Sequence, residues 1–189
     1  MKITSGKYKY RNIEVPAGIR PTTEKVREAV FSMIMQWLPD AEVLDLFAGS
    51  GAMGIEALSR GAARCTFVES NRLNQRVLTA NIAGCGAGSE ASVIGRDYTA
   101  ALAEISGKKE KLVFDIVIID PPYEKTDYYV TAMTQLQEYG LVDERSIVVC
   151  EHLYDNKLSD TYGNLSKFKE KKYGSIGVDL FLVDNPESF

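Results

Sequence analysis

The chain has 189 residues, 45% of them hydrophobic and 25% charged, with a formal net charge of −4. That composition fits one globular domain with a sizeable core and excludes a disordered or collagen-like chain. No apolar run is long enough to span a bilayer, and the N-terminal MKITSGKYKY lacks the apolar stretch of a secretory signal. Cys65, Cys85 and Cys150 are scattered and odd in number. They read as reduced thiols in a cytoplasmic protein, with neither disulfide nor metal spacing.

The charge is unevenly placed. Residues 1–30 hold seven basic and three acidic side chains, a net +4 on a body that carries the opposite sign. Residues 1–21 read as a basic arm in which aromatic and basic side chains interleave, with Lys7, Lys9 and Arg11 as candidates for meeting a polyanion. From Thr22, apolar residues at Val26, Ala29, Val30, Met33, Ile34 and Trp37 predict a helix that ends before Pro39. Strands and helices then alternate. Strands are predicted over 42–47, 65–70, 91–95, 114–120 and 146–151. Helices are predicted over 52–60, from Asn71 to about Ile82, after Asp97, and over about Asp127–Tyr139. Residues 167–174 and 178–184 predict a closing hairpin. Repeated strand–helix units imply a parallel sheet with helices on both faces, and ligands bind such sheets at the carboxyl ends of the strands.

Every short polar motif falls at such an end. DLFAGSGAMG places Gly49, Gly51 and Gly54 between a strand and a helix, and Glu69 ends the next strand. The glycines let the backbone approach a ligand, and an acid at that distance suits ribose hydroxyls. Asp45 stands at the mouth of the loop, where it would repel a pyrophosphate. It suits S-adenosylmethionine, which carries an ammonium and a sulfonium and no phosphate; otherwise it hydrogen-bonds loop amides. Asp97 in GRDY either accepts from an adenine amine or caps the following helix.

The fourth strand runs into IIDPPY. An exocyclic amine on a nucleobase is a weak nucleophile because its lone pair is delocalised into the ring. Two acceptors that grip both N–H bonds turn that lone pair toward an electrophilic methyl. Asp120 supplies one acceptor and the Pro121 carbonyl the other, while Tyr123 offers a face for the base. The prolines fix φ and stiffen the loop.

These motifs resemble the class I S-adenosylmethionine-dependent methyltransferases. The resemblance is closer to the bacterial 16S rRNA (guanine-N2)-methyltransferases of the RsmD type. ITSGKYKYRNIEVP, IRPTTEKVREAVFSMI, VLDLFAGSGAMGIEALSRGA, FVES, IIDPPY and KKYGSIGVDLF look like that family in its order. The resemblance implies an α/β Rossmann-like fold with a seven-stranded, mostly parallel sheet and one antiparallel strand. It implies a single domain over 1–189, with the arm at 1–21 and the catalytic core at 22–189. It also implies S-adenosylmethionine as donor and a guanine N2 of 16S rRNA, free or in the assembling small subunit, as acceptor. Asp45, Gly49, Gly51, Glu69 and Asp97 match cofactor positions, and Asp120, Pro121 and Tyr123 the catalytic loop. Arg20 and Thr22 match an Arg-Pro-Thr segment near cofactor and target base.

An adenine-N6 methyltransferase would share the DPPY loop but would usually add a target-recognition region. A protein-glutamine methyltransferase would more often carry Asn at position 120. A non-catalytic RNA-binding module would have little use for both loops. His152 reads as a loop residue after the fifth strand, and the lysine-rich Lys167–Lys172 run as a solvated edge strand that either faces water or touches phosphate. No metal is expected, since no other histidine or cysteine pair accompanies His152.

Overall fold

The computed structural model describes residues 1–185; residues 186–189, included in the expected core, lie outside the described residues. Five strands alternate with helices as expected. They are β1 (Glu42–Asp45), β2 (Arg64–Val68), β3 (Ala91–Ile94), β4 (Ile116–Ile119) and β5 (Ile147–Leu153). The helices are α1 (Glu24–Met33) before β1, then α2 (Ala52–Ser59), α3 (Arg72–Cys85), α4 (Tyr98–Ser106) and α5 (Asp127–Glu138) between successive strands. The chain closes with β6 (Thr161–Tyr162), β7 (Leu165–Tyr173) and β8 (Ile176–Val183). Among the described residues the sheet therefore has eight strands instead of the seven expected, because a two-residue strand, β6, pairs with the start of β7.

The order is β3-β2-β1-β4-β5-β8-β7-β6. β1 to β5 run parallel, and β8 lies antiparallel to β5. Successive residues of a strand point to opposite faces, so the apolar strands feed two cores. Val43, Cys65, Phe67, Ile116, Ile118 and Val149 pack under α1, α2 and α3. Leu44, Val68, Val117, Ile119, Val148 and Cys150 pack under α4 and α5. The chain runs outward from β1 to β3, then returns to the other side of β1 as β4. That reversal makes the β1/β4 junction the topological switch point, where a cleft opens above the strand ends.

Caps explain the helix starts. Thr23 caps α1, its hydroxyl accepting from the Val26 N–H. Asn71 caps α3 as expected. Trp37 falls past the end of α1, in a 3₁₀ turn over Met35–Trp37.

The N-terminal arm is a docked element. Its strand content is a single bridge, Lys2 to Asn12. The fully buried carboxylate of Glu56 in α2 accepts from the Thr4 and Ser5 amides, the Thr4 hydroxyl, Arg27 Nε at 3.0 Å and Arg60 Nε at 3.0 Å. Gly6 lies so close to α2 that a Cβ there would sit 1.8 Å from the Ser59 carbonyl oxygen, and its φ is +82°.

Two expectations about the closing strands need correction. His152 lies inside β5, buried, because β8 pairs with β5 as far as Leu153. Its Nε2 is 3.2 Å from Asp179 Oδ2. Burial opposes its proton, but the neighbouring Asp179 carboxylate and the Leu153 carbonyl outweigh that and raise its pKa. Lys167 is likewise not solvated: its ammonium lies 3.0 Å from Asp179 Oδ2, with 7% of the side chain exposed. Lys169, Lys171 and Lys172 are exposed, as expected.

Candidate active site

A cleft of about 530 Å³ sits above the carboxyl ends of the central strands. That size suits a small ligand. Three walls meet there: residues 18–22 of the arm, the glycine loop with the ends of β2 and β3, and the Asp120–Lys125 loop. The switch point explains the convergence. β1 and β4 are neighbours, with Asp45 opposite Ile118, so Asp120 emerges beside the glycine loop. On the other side of β1, Asp45 is opposite Phe67, two residues before Glu69.

The glycine loop has the backbone its motif requires. Gly49 and Gly51 hold φ of +55° and +82°, the left-handed region that favours glycine. Gly54 serves packing, since a Cβ there would lie 2.3 Å from the Phe67 ring. Asp45 is buried and Oδ2 accepts from the Gly54 N–H at 3.1 Å. Burial pushes its carboxyl up to about 7; the Gly54 N–H opposes this and the Glu69 charge adds to it. Glu69 Oε2 accepts from the Gly49 N–H at 3.0 Å and Oε1 from the Asn71 N–H at 2.8 Å. Asp97 caps α4, accepting from the Thr99 N–H at 2.9 Å, and stands exposed at the cleft wall.

On the opposite wall, Asp120 is partly exposed and Pro121 is buried. Burial raises the Asp120 pKa well above the usual carboxylate range, and the charges of Glu151 and Asp45 push it further. Tyr123 lines the cleft with the Arg20 guanidinium 5.9 Å from its ring centroid. Thr22 is buried and donates its hydroxyl to Glu151 Oε2 at 2.6 Å.

Lys7, Lys9 and Arg11 are exposed on the arm and do not line this cleft. Lys7 pairs with Glu90. Lys9 packs its ammonium 4.9 Å from the Tyr10 ring. Among the described residues, no carboxylate lies within ion-pair distance of Lys9 or Arg11, and no cluster of three His, Cys, Asp or Glu could hold a metal.

Sequence reasoning missed two features. Phe47, Tyr98 and Tyr128 form an aromatic wall of the cleft, with Phe47 and Tyr128 stacked at 5.9 Å and Tyr98 4.7 Å from Tyr128. Phe47 and Tyr98 lie inside the very motifs that were read for their glycines and acids. The other is Glu151, which the sequence shows only as the last residue of an apolar strand.

The family model described as "Conserved hypothetical protein 95" matches residues 1–182. "Putative rRNA methyltransferase YlbH" of Bacillus subtilis is 35% identical over 96% of this chain and 98% of its own. "Ribosomal RNA small subunit methyltransferase D" of Escherichia coli is 34% identical over 96% of this chain and 89% of its own. A solved structure, "Putative methyltransferase yhhF from Escherichia coli", is 33% identical, with a TM-score of 0.84 over 97% of this chain and 98% of its own. With a nearly full-length family match and relatives at a third identity, the chain belongs to the RsmD-type family of small-subunit rRNA methyltransferases.

Proposed function

We propose that this enzyme transfers a methyl group from S-adenosylmethionine to the exocyclic N2 of a guanine in 16S rRNA. The reading rests on one observation: the Asp-Pro-Pro-Tyr loop and the glycine loop face each other across a single cleft. The residues fit the donor. Asp45 offers a buried carboxylate to a cation, Glu69 offers acceptors for ribose, Asp97 offers an acceptor for an adenine amine, and the glycines leave room at the backbone. S-adenosylmethionine supplies the electrophilic methyl on its sulfonium. Asp120 and the Pro121 carbonyl accept from the guanine amine and aim its lone pair at that methyl. Asp120 would take the proton that the amine gives up on methylation. Tyr123 supports the base, with stacking worth about 1–3 kcal/mol. The reaction belongs in the cytoplasm, where small subunits assemble.

Labelled S-adenosylmethionine offered with naked 16S rRNA, small subunits, duplex DNA and protein tests the reading. Label should appear in RNA, on guanine N2 after digestion to nucleosides. Label only in DNA adenine or in protein would overturn it.

Two cofactor predictions concern the glycine-loop wall. Glu69→Ala should weaken S-adenosylmethionine binding by about 1.5–3 kcal/mol, the worth of hydrogen bonds to a charged group. Calorimetry reads this directly, and unchanged affinity would remove Glu69 from the site. Asp45 sets a pH dependence. With its pKa at about 7, it is mostly neutral at pH 6 and mostly ionised at pH 8. If the ionised form meets the cationic donor, affinity should rise about tenfold across that interval. A flat profile would show that Asp45 only holds the Gly54 amide.

Lys7, Lys9 and Arg11 are proposed to meet RNA phosphates. Among the described residues Lys9 and Arg11 have no acidic partner to give up, whereas Lys7 must leave Glu90. Replacing Lys9 and Arg11 by alanine should flatten the log–log salt dependence of single-strand RNA binding by about 1.4, at ~0.7 per phosphate. Lys7→Ala should add less. An unchanged slope would mean that the arm's charges face only water.

A further inference from the structure

The carboxylate of Glu151 takes no part in the steps above, yet it is heavily engaged. It is 6% exposed and lies inside β5, two residues before its end. β4 and β5 pair with Ile119 opposite Cys150, so Asp120 and Glu151 are the next residues on two adjacent strands. Glu151 Oε2 accepts from the Thr22 hydroxyl at 2.6 Å and Oε1 from the Tyr123 phenol at 3.3 Å. The Tyr129 phenol donates to the Glu151 backbone carbonyl at 2.5 Å and fixes the strand behind it. One side chain thus joins the arm segment, the acceptor loop and the sheet.

Placing a second carboxylate beside Asp120 in a buried site is unfavourable for stability, because both charges lose water and repel each other. Apolar residues would fill that space at lower cost. What a carboxylate adds is two acceptors aimed in two directions. We propose that Glu151 is a positioning residue for methyl transfer, holding the Thr22 hydroxyl and the Tyr123 phenol on one carboxylate so that the arm wall and acceptor loop keep a fixed relation. The proposal rests on the methyl-transfer reading of the cleft. Tyr123 supports the target base and Thr22 follows Arg20, which packs on the Tyr123 ring. Slack in either would misalign the amine and the methyl, and misplacement on the order of 1 Å costs about a hundredfold in rate.

Glu151 also has an electrostatic signature. Asp120 is faced by Glu151 from β5, Asp45 from β1 and the Thr22 hydroxyl from the arm. Glu151 is faced by Thr22, Tyr123, Arg20 and, along its own strand, His152. Removing the Glu151 charge lets Asp120 ionise at lower pH, whereas a change confined to packing would not.

The test compares wild type, Glu151→Gln, Glu151→Ala, Tyr123→Phe and the Glu151→Ala/Tyr123→Phe pair. The probes are 16S rRNA and S-adenosylmethionine. Glu151→Gln keeps the volume and one acceptor, so kcat should fall about tenfold, and Glu151→Ala about a hundredfold. Cofactor affinity by calorimetry should stay within about threefold, since Glu151 bonds Thr22 and Tyr123 but none of Asp45, Gly49, Gly51, Glu69 or Asp97. The acid limb of kcat should move to lower pH in Glu151→Gln. Tyr123→Phe should cost less on top of Glu151→Ala than alone, because the shared hydrogen bond is already gone. Unchanged kcat with an unmoved acid limb, accompanied only by lower thermal stability, would overturn the proposal. Hydrogen exchange of the amides of residues 18–23 needs no turnover. Faster exchange in Glu151→Ala than in wild type supports the positioning role even if no RNA is methylated, a result that would sink only the functional reading. Unchanged exchange there overturns the positioning role itself.

Discussion

Asp120→Ala should abolish methyl transfer in a turnover assay while calorimetry finds S-adenosylmethionine bound within a few-fold of wild type. In the proposed mechanism the variant removes an acceptor that aligns the amine and the base that takes its proton. General-base catalysis alone is worth about 10²–10⁴ in rate, and alignment adds to that. Asp120→Asn separates the two contributions. It keeps an oxygen acceptor of the same reach but cannot take a proton, so it should retain more rate than the alanine variant. The wild-type pH profile has a defined sign. Burial, with Glu151 and Asp45 nearby, raises the Asp120 pKa, so the carboxyl stays protonated to higher pH than an ordinary aspartate. The proposed mechanism needs the ionised form, so activity should be lost as pH falls through that raised value. Stability runs the other way. A carboxylate whose folded pKa lies above its unfolded value costs folding free energy once the solution pH exceeds the unfolded pKa. Asp120→Asn should therefore melt at or above the wild-type temperature at pH 8 while turning over more slowly. Near-normal turnover in Asp120→Ala would end the mechanism.

Much of this site is legible in the sequence because its parts are local. A strand running into Asp-Pro-Pro-Tyr, a glycine loop with an acid at the next strand end, and an Asp before a helix each declare themselves within a few residues. The strand order is not local. Nothing in SIVVCEHL says that β5 lies beside β4, so the pairing of Ile119 with Cys150 that brings Glu151 next to Asp120 stays hidden. The same limit explains His152. It reads as a loop residue until β8 is seen to carry the pairing to Leu153 and bury the imidazole on Asp179. β6 is missed because two residues carry no period, and Lys167 because a lysine-rich run reads as solvated unless Asp179 is known to lie beneath it. The arm is half legible. Its charge is plain, but its attachment depends on Glu56, an acid inside the apolar run AMGIEALS that gives no sign of its partners.

That attachment carries the second large effect. Glu56→Ala should cost about 3–5 kcal/mol of stability, the range for stripping one partner from a buried ion pair. Glu56 and Arg27 both have fully buried side chains. Without the carboxylate, the Arg27 guanidinium keeps the Lys2 carbonyl and the Met1 sulfur as partners and loses its counter-charge. The Thr4 and Ser5 amides lose their shared acceptor at the same time. For a chain of this length, each kcal/mol moves the midpoint by about 2–4 °C, so melting should fall by roughly 6–20 °C. Replacing the pair together, with Arg27→Met and Glu56→Leu, should recover much of that loss, because neither charge is then buried alone. The double variant still lacks the acceptor for Thr4 and Ser5, so the first residues of the arm should exchange their amide hydrogens faster than in wild type. The consequence for function is specific. The cofactor loops do not touch Glu56, so S-adenosylmethionine affinity should hold in the double variant. RNA affinity at low salt should drop, because Lys9 and Arg11 are carried by the segment whose anchor is gone. Equal melting of Glu56→Ala and wild type would show that the buried pair is not what holds the arm to α2.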